Sequence, residues 1–154
     1  MEEYIGEKFF AVSSTELGGA NTAEALHTAC QLGLPIIDAD PAGRSVPELQ
    51  HSTYFVKNKA ITPMTVATDF GEVIIIKDVI DDFRAEDVVR AIAVASGAMV
   101  GVTDHPMTGR DYKEAIIPDA ITYALKIGET LRETRMDGGC CGAPRCLPRD
   151  LRRP

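Results

Sequence analysis

The stretch GLPIIDADPAGRSVPELQHST, from Gly33 to Thr53, decides how this chain is read. Pro35, Ile36 and Ile37 form a short apolar run after a helix-stopping glycine, the pattern of a central strand in an α/β sheet. Asp38 and Asp40 follow at once. Along a strand the side-chain period is two, so both carboxylates would point the same way, and like charges held that close call for a cation or donor between them.

Working outward, KFFAVSS (8–14) reads as a strand and TELGGANTAEAL (15–26) as a glycine-containing turn. A helix follows with Ala25, Leu26, Ala29, Cys30 and Leu32 at helical spacing, capped by Asn21 or Thr22 and closed by Gly33. Strand, turn, helix and strand make a βαβ unit, which implies a parallel pair with a right-handed crossover. Cys30 reads as a small core residue.

Downstream, PAGRSVPELQ (41–50) is loop or a short helix from Pro47, and the runs TPMTVATD and GEVIIIKD form a hairpin around Asp69, Phe70 and Gly71. DDFRAEDVVRAIAVASG predicts a helix with a buried face that stops at Gly97. AMVGVTDHPMTGRD is a strand reaching Asp104 and His105, and Pro118 fits the first turn of a last helix.

The chain has 154 residues, 45% hydrophobic and 25% charged, enough for one domain with a real core. A net charge of -7 argues against nucleic acid as a partner, because phosphate binding needs clustered positive charge. The apolar runs are far short of the roughly 20 residues of a membrane helix, and the acidic opening MEEYIGEKFF is unlike a secretory signal, so a cytoplasmic location is expected. The end, GGCCGAPRCLPRDLRRP, has neither helical nor strand period. Cys140, Cys141 and Cys146 lack a fourth zinc ligand, so residues 136–154 read as an unstructured, non-native tail after a body of residues 1–135.

Three groups carry candidate chemistry. Glu16, Gly18, Gly19 and Asn21 surround the first turn, where glycines admit a ligand and helix amides favour an anion, or where they simply make a tight turn. Asp38, Asp40, Arg44, Glu48 and Gln50 crowd a loop after a strand end. A divalent metal ion held by Asp38 and Asp40 would explain their proximity, as would acid/base work by one of them. The structural account has Asp38 fixing loop backbone and Asp40 pairing with Arg44. In TDHPMTGR, His105 suits a base, ligand or donor and Arg110 an anion clamp, although histidines near strand ends are as often structural.

The segments ELGGAN, GLPIIDADPAGRSVPELQ, TPMTVATDFGEV and HPMTGRDYKEAIIPDAITYALKIG together resemble one family, the S-methyl thiohydantoin desulfurase family, associated with the hydantoinases. The resemblance runs from near the start to about Arg135. It implies the family's N-terminal domain, a three-layer α/β/α sandwich with a largely parallel sheet plus the hairpin, and a β-rich second domain missing from this chain. A glycine-rich opening of the family is also missing, so the chain is expected to be a fragment that self-associates through an uncovered apolar patch. The implied activity is hydrolysis or desulfurisation of a cyclic imide or S-methyl thiohydantoin-like ring. Asp38, Asp40, Glu48 and His105 are the candidate catalytic residues. Glu16, Gly18, Gly19, Asn21, Arg44, Gln50 and Arg110 are the candidates for binding a small cyclic amide-type substrate. The alternative is a ligand-binding or subunit-assembly domain whose chemistry resides in the absent domain.

Overall fold

The computed structural model describes residues 1–136, so the cysteine-rich tail and its candidate metal knuckle lie outside the described residues. The elements, in chain order, are α1 (Glu2–Ile5), α2 (Asn21–Leu32), β1 (Ala39–Asp40), α3 (Thr53–Val56), β2 (Met64–Ala67), β3 (Val73–Ile76), α4 (Asp82–Ala95), β4 (Gly101–Thr103), α5 (Gly109–Glu114), β5 (Ile117–Pro118) and α6 (Ala120–Met136).

The expected hairpin forms, pairing Met64 with Ile76 through Ala67 with Val73. Strand β4 joins the other edge of β2, also antiparallel, giving the order β3-β2-β4. Because β3 and β4 both oppose β2, they run the same way, and α4 connects them across one face of the sheet. Asp81 caps α4, its side chain accepting from the Arg84 amide. Ala85 and Val89 of α4 bury against Met64, Val66 and Ile61, with Ile74, Ile76 and Val102 packed around them. Complete burial of a side chain such as Met64 or Val66 contributes about 1.5–3 kcal/mol.

The parallel three-layer sandwich does not form. Both sheets are antiparallel; the second is the two-residue pair β1-β5, Ala39 with Pro118 and Asp40 with Ile117. The βαβ reading survives only as a single parallel bridge between Val12 and Ile36 on either side of α2. KFFAVSS therefore makes no strand, because beyond Val12 no neighbour continues the ladder. Helix α2 ends at Gly33 with φ 65°, as the sequence predicts. Its N-cap is Ala20 without a side-chain cap bond, since Asn21 turns to Glu16 instead. Cys30 is exposed and is not a core residue. Pro118 belongs to β5, and α6 begins after Asp119, which takes the left-handed conformation at φ 60°.

Candidate functional site

The two aspartates that the sequence pairs are drawn to different structures. Asp38 reaches the start of α6: its Oδ1 accepts from the Ile121 and Thr122 amides at 2.9 and 3.0 Å, and its Oδ2 accepts from the Thr122 hydroxyl at 2.5 Å. It caps α6 from a distant segment, and the Thr122 hydroxyl bond holds its carboxyl below the usual carboxylate range. Asp40 is only 1% exposed and folds onto its own loop, where Oδ1 accepts from the amides of Ala42, at 3.0 Å, and Gly43. Its Oδ2 is buried without a hydrogen-bond partner. Arg44 is exposed and bonds the Ser45 carbonyl, so the expected Asp40–Arg44 pair is absent.

Glu16 is a buried organiser of the neighbouring loops. Its Oε1 accepts from the Asn21 amide at 2.5 Å, and its Oε2 accepts from the Val46 backbone amide. Gly18 donates to the Thr22 hydroxyl at 3.0 Å, and a side chain at Gly18 would meet only ordinary contacts. Gly19 faces open space. Glu48 accepts from Gln50 at 2.6 Å. Arg110 is exposed on α5. Among the described residues, no three His, Cys, Asp or Glu side chains are arranged to hold a metal ion.

His105 is the centre of a second, buried group. Its backbone takes φ 46°, a conformation that a residue with a Cβ rarely holds, and its amide donates to the Ile61 carbonyl at 3.0 Å. A carboxylate can only accept, so Nδ1 carries the proton donated to Asp104 Oδ1 at 2.9 Å. On the other side Nε2 faces Asp82 Oδ2 at 3.7 Å, and neither atom has a hydrogen-bond partner. Burial pushes the Asp82 carboxyl up, and the charges of Asp104 and Asp81 add to that, against the opposing pull of His105.

From His105 a line of phenols runs toward β1. The Tyr54 ring lies 4.7 Å from the His105 ring and 6.2 Å from that of Tyr112. Burial raises both phenols above their ordinary range. Tyr112 and Ser13 share a hydrogen bond of 2.5 Å, one hydroxyl donating to the other, and both oxygens lie within reach of the Ala39 carbonyl, one residue before Asp40, to which the accepting hydroxyl donates. The Asp40 charge is felt at Tyr112.

The loop after Asp40 borders a cleft of about 140 Å³ lined by Leu17, Gly43, Ile117, Pro118, Ala120 and Tyr123. Gly43 holds φ 66°, and a Cβ there would stand 3.3 Å from Ile117, so this wall requires glycine. Leu17 also lines a larger apolar groove of about 380 Å³ between α2 and α6.

Thus the structure joins Glu16 to Asn21, leaves Asp38 with α6, and gives Asp40 no hydrogen bond to His105 or to the tyrosines between β1 and His105. The sequence reading misses Ser13, Gly43, Tyr54, Asp82, Asp104 and Tyr112. Asp104, directly before His105, is the one of these that local sequence could have flagged.

Residues 1–78 match the S-Me-THD-like N-terminal domain, and residues 80–143 match the S-Me-THD-like C-terminal domain. The second match corrects the assignment of the whole body to the N-terminal domain. No curated protein matches the chain. A crystal structure of a protein from Chromobacterium violaceum, determined by a structural genomics consortium, superposes with a TM-score of 0.78 at 27% identity. The alignment covers 86% of this chain and 38% of that one, so the present chain spans well under half the length of its relative. Among the described residues no helix is long and apolar enough to cross a membrane.

Proposed function

The chain belongs to the S-Me-THD-like family, and on that premise we propose that it contributes to desulfurisation or hydrolysis of an S-methyl thiohydantoin-like or related cyclic imide ring. The observation that carries the reading is the buried polar line from Asp82 and His105, through Tyr54, Tyr112 and Ser13, to the Asp40 loop beside the small cleft. The apolar walls of Leu17 and Ile117 suit a flat five-membered ring, with Gly43 giving it room. Asp40, whose buried Oδ2 has no partner, stands three residues before Gly43 on the loop that borders this cleft, and a water that reached Oδ2 would find a base there.

In the desulfurising reaction the oxygen of water bonds to the ring carbon that carries the S-methyl sulfur. The carbon–sulfur bond then breaks and methanethiol leaves. One water proton ends on the thiol and the other on the ring nitrogen, whose double bond to carbon is replaced by the new carbonyl. His105 makes no hydrogen bond to a phenol; its part is to pack against the Tyr54 ring and hold it in place.

The test is incubation of the chain with an S-methyl thiohydantoin in ¹⁸O-labelled water. Methanethiol with one ¹⁸O at the former sulfur-bearing carbon supports desulfurisation. Label in a ring-opened acid supports hydrolysis, and neither product would overturn both.

A second reading, subunit assembly without chemistry, draws on the open face of the β3-β2-β4 sheet. There Val73 and Ile75 are 70% and 44% exposed, a row of apolar side chains on a sheet edge. Light scattering that detects a defined oligomer, dissociated by Ile75→Lys, together with no turnover, would favour it.

A further inference from the structure

The cleft beside the Asp40 loop and the groove between α2 and α6 are neighbours. Leu17 lines both, and the consecutive residues Ala120 and Ile121 of α6 line one each, Ala120 the cleft and Ile121 the groove. The two differ in what they admit. At about 140 Å³ the cleft is close to the roughly 150 Å³ of an apolar cavity that holds one benzene, so a five-membered ring fills it and a substituent on that ring needs other space. The groove offers about 380 Å³, within the range of about 300–1,000 Å³ in which small molecules are bound.

Both sides of the divide are held in place by carboxylates. Leu17 stands between Glu16, bonded to Asn21 and to the Val46 amide, and Gly18, whose amide donates to the Thr22 hydroxyl. Across from it, the Ile121 amide donates to Asp38. The groove walls themselves are largely hydrocarbon, with Leu26 and Leu125 leaving 43% and 59% of their surface exposed. The Thr22 hydroxyl in that wall is already engaged, accepting from Gly18 and donating to the Glu16 carbonyl. Glu129 and Arg132, the charged residues of the wall, are exposed and come last along α6. A charged or polar group laid between Leu26 and Leu125 would lose water without gaining a partner, whereas hydrocarbon there is stabilised by burial.

We infer that the groove is a second subsite of one substrate site: with the ring in the cleft, an uncharged hydrocarbon substituent of the ring passes Leu17 and lies between Leu26 and Leu125. The favoured substrates are therefore rings that carry a branched or aromatic hydrocarbon group, and not the bare ring. The inference deepens the desulfurase reading and rests on its placement of the ring in the cleft.

Methyl ¹H–¹³C NMR titration of the intact chain with hydantoin and with 5-isobutylhydantoin tests it without requiring loss of sulfur. The isobutyl compound is expected to bind at least about tenfold tighter, from the burial of its added carbons, and to shift the methyls of Leu26 and Leu125 as well as that of Ile117. Leu125→Asp, at an exposed position, should bring the ratio of the two affinities below about threefold. Equal affinities in the wild type, a ratio undiminished in Leu125→Asp, groove methyls that do not move, or no binding of either compound would overturn the inference. The wild-type comparison stands even if the variant does not fold. Turnover of the matching S-methyl thiohydantoins separates the two ideas. Tighter binding of the substituted hydantoin, with no methanethiol released from either thiohydantoin, supports the subsite and overturns the desulfurase reading. Methanethiol release with equal kcat/KM for the substituted and the bare ring supports that reading and overturns the subsite.

Discussion

Asp38 and Asp40 stand two residues apart and meet opposite fates. Around Asp38 both carboxylate oxygens are satisfied by the first turn of α6, and the same holds for Glu16 between Asn21 and Val46. Along the line from Asp40 to Asp82, three polar atoms, Asp40 Oδ2, His105 Nε2 and Asp82 Oδ2, are buried without partners. The difference teaches where structure ends and chemistry begins. A fully bonded carboxylate has spent its capacity on holding two segments together, whereas an unsatisfied one remains free to move a proton.

The comparison can be broken at several points. The largest stability effect belongs to Tyr54→Ala, which empties a buried position stacked on His105 and should cost about 3–5 kcal/mol by chemical denaturation. Tyr54→Phe keeps the ring and should cost far less while interrupting the phenol line. Glu16→Ala leaves the Val46 amide without its acceptor, an expected loss of about 1.5–3 kcal/mol. A loss this size from Glu16→Gln as well would show that its charge, and not only its oxygen, is needed.

Asp38→Ala removes the cap of α6 and should cost about 1 kcal/mol, read as a Tm lower by about 2–4 °C. Because the Asp38 carboxyl is lowered in the folded protein, its contribution is present above the ordinary carboxylate range and is lost as pH falls through the lowered value. The difference between wild type and Asp38→Ala should therefore shrink in acid. Asp82 has the opposite sign. Its raised carboxyl contributes stability in acid that disappears as pH rises through the raised value, so Asp82→Asn should flatten that decline.

The legible part of the fold lies in elements whose signals are local. Helices α2 and α4 follow from apolar spacing and from Gly33 and Gly97, both left-handed at φ 65° and 78°, and the β2-β3 hairpin from its turn residues. Strand direction is not local. Pro35 to Ile37 has the same apolar run whichever partner it finds; Ile36 bridges Val12 in parallel, but the strand just beyond it, β1, pairs with β5 antiparallel from the far end of the described chain. The site divides in the same way. Asp38 looks like the twin of Asp40 until Ile121, 83 residues on, supplies the amide that captures it. Ser13, Tyr54 and Tyr112 carry no motif; only the folded chain brings the Ser13 and Tyr112 hydroxyls together and sets the Tyr54 ring beside that of Tyr112.

The most direct measurement is the rate of methanethiol release from an S-methyl thiohydantoin by Asp40→Asn and Asp38→Asn side by side, at matched folded fraction. The account predicts a loss of at least about 100-fold for Asp40→Asn, the usual scale for removing a general base, and a rate within about threefold of wild type for Asp38→Asn. Equal losses, or the larger loss at Asp38, would contradict it and return the chemistry to the α6 end of the molecule.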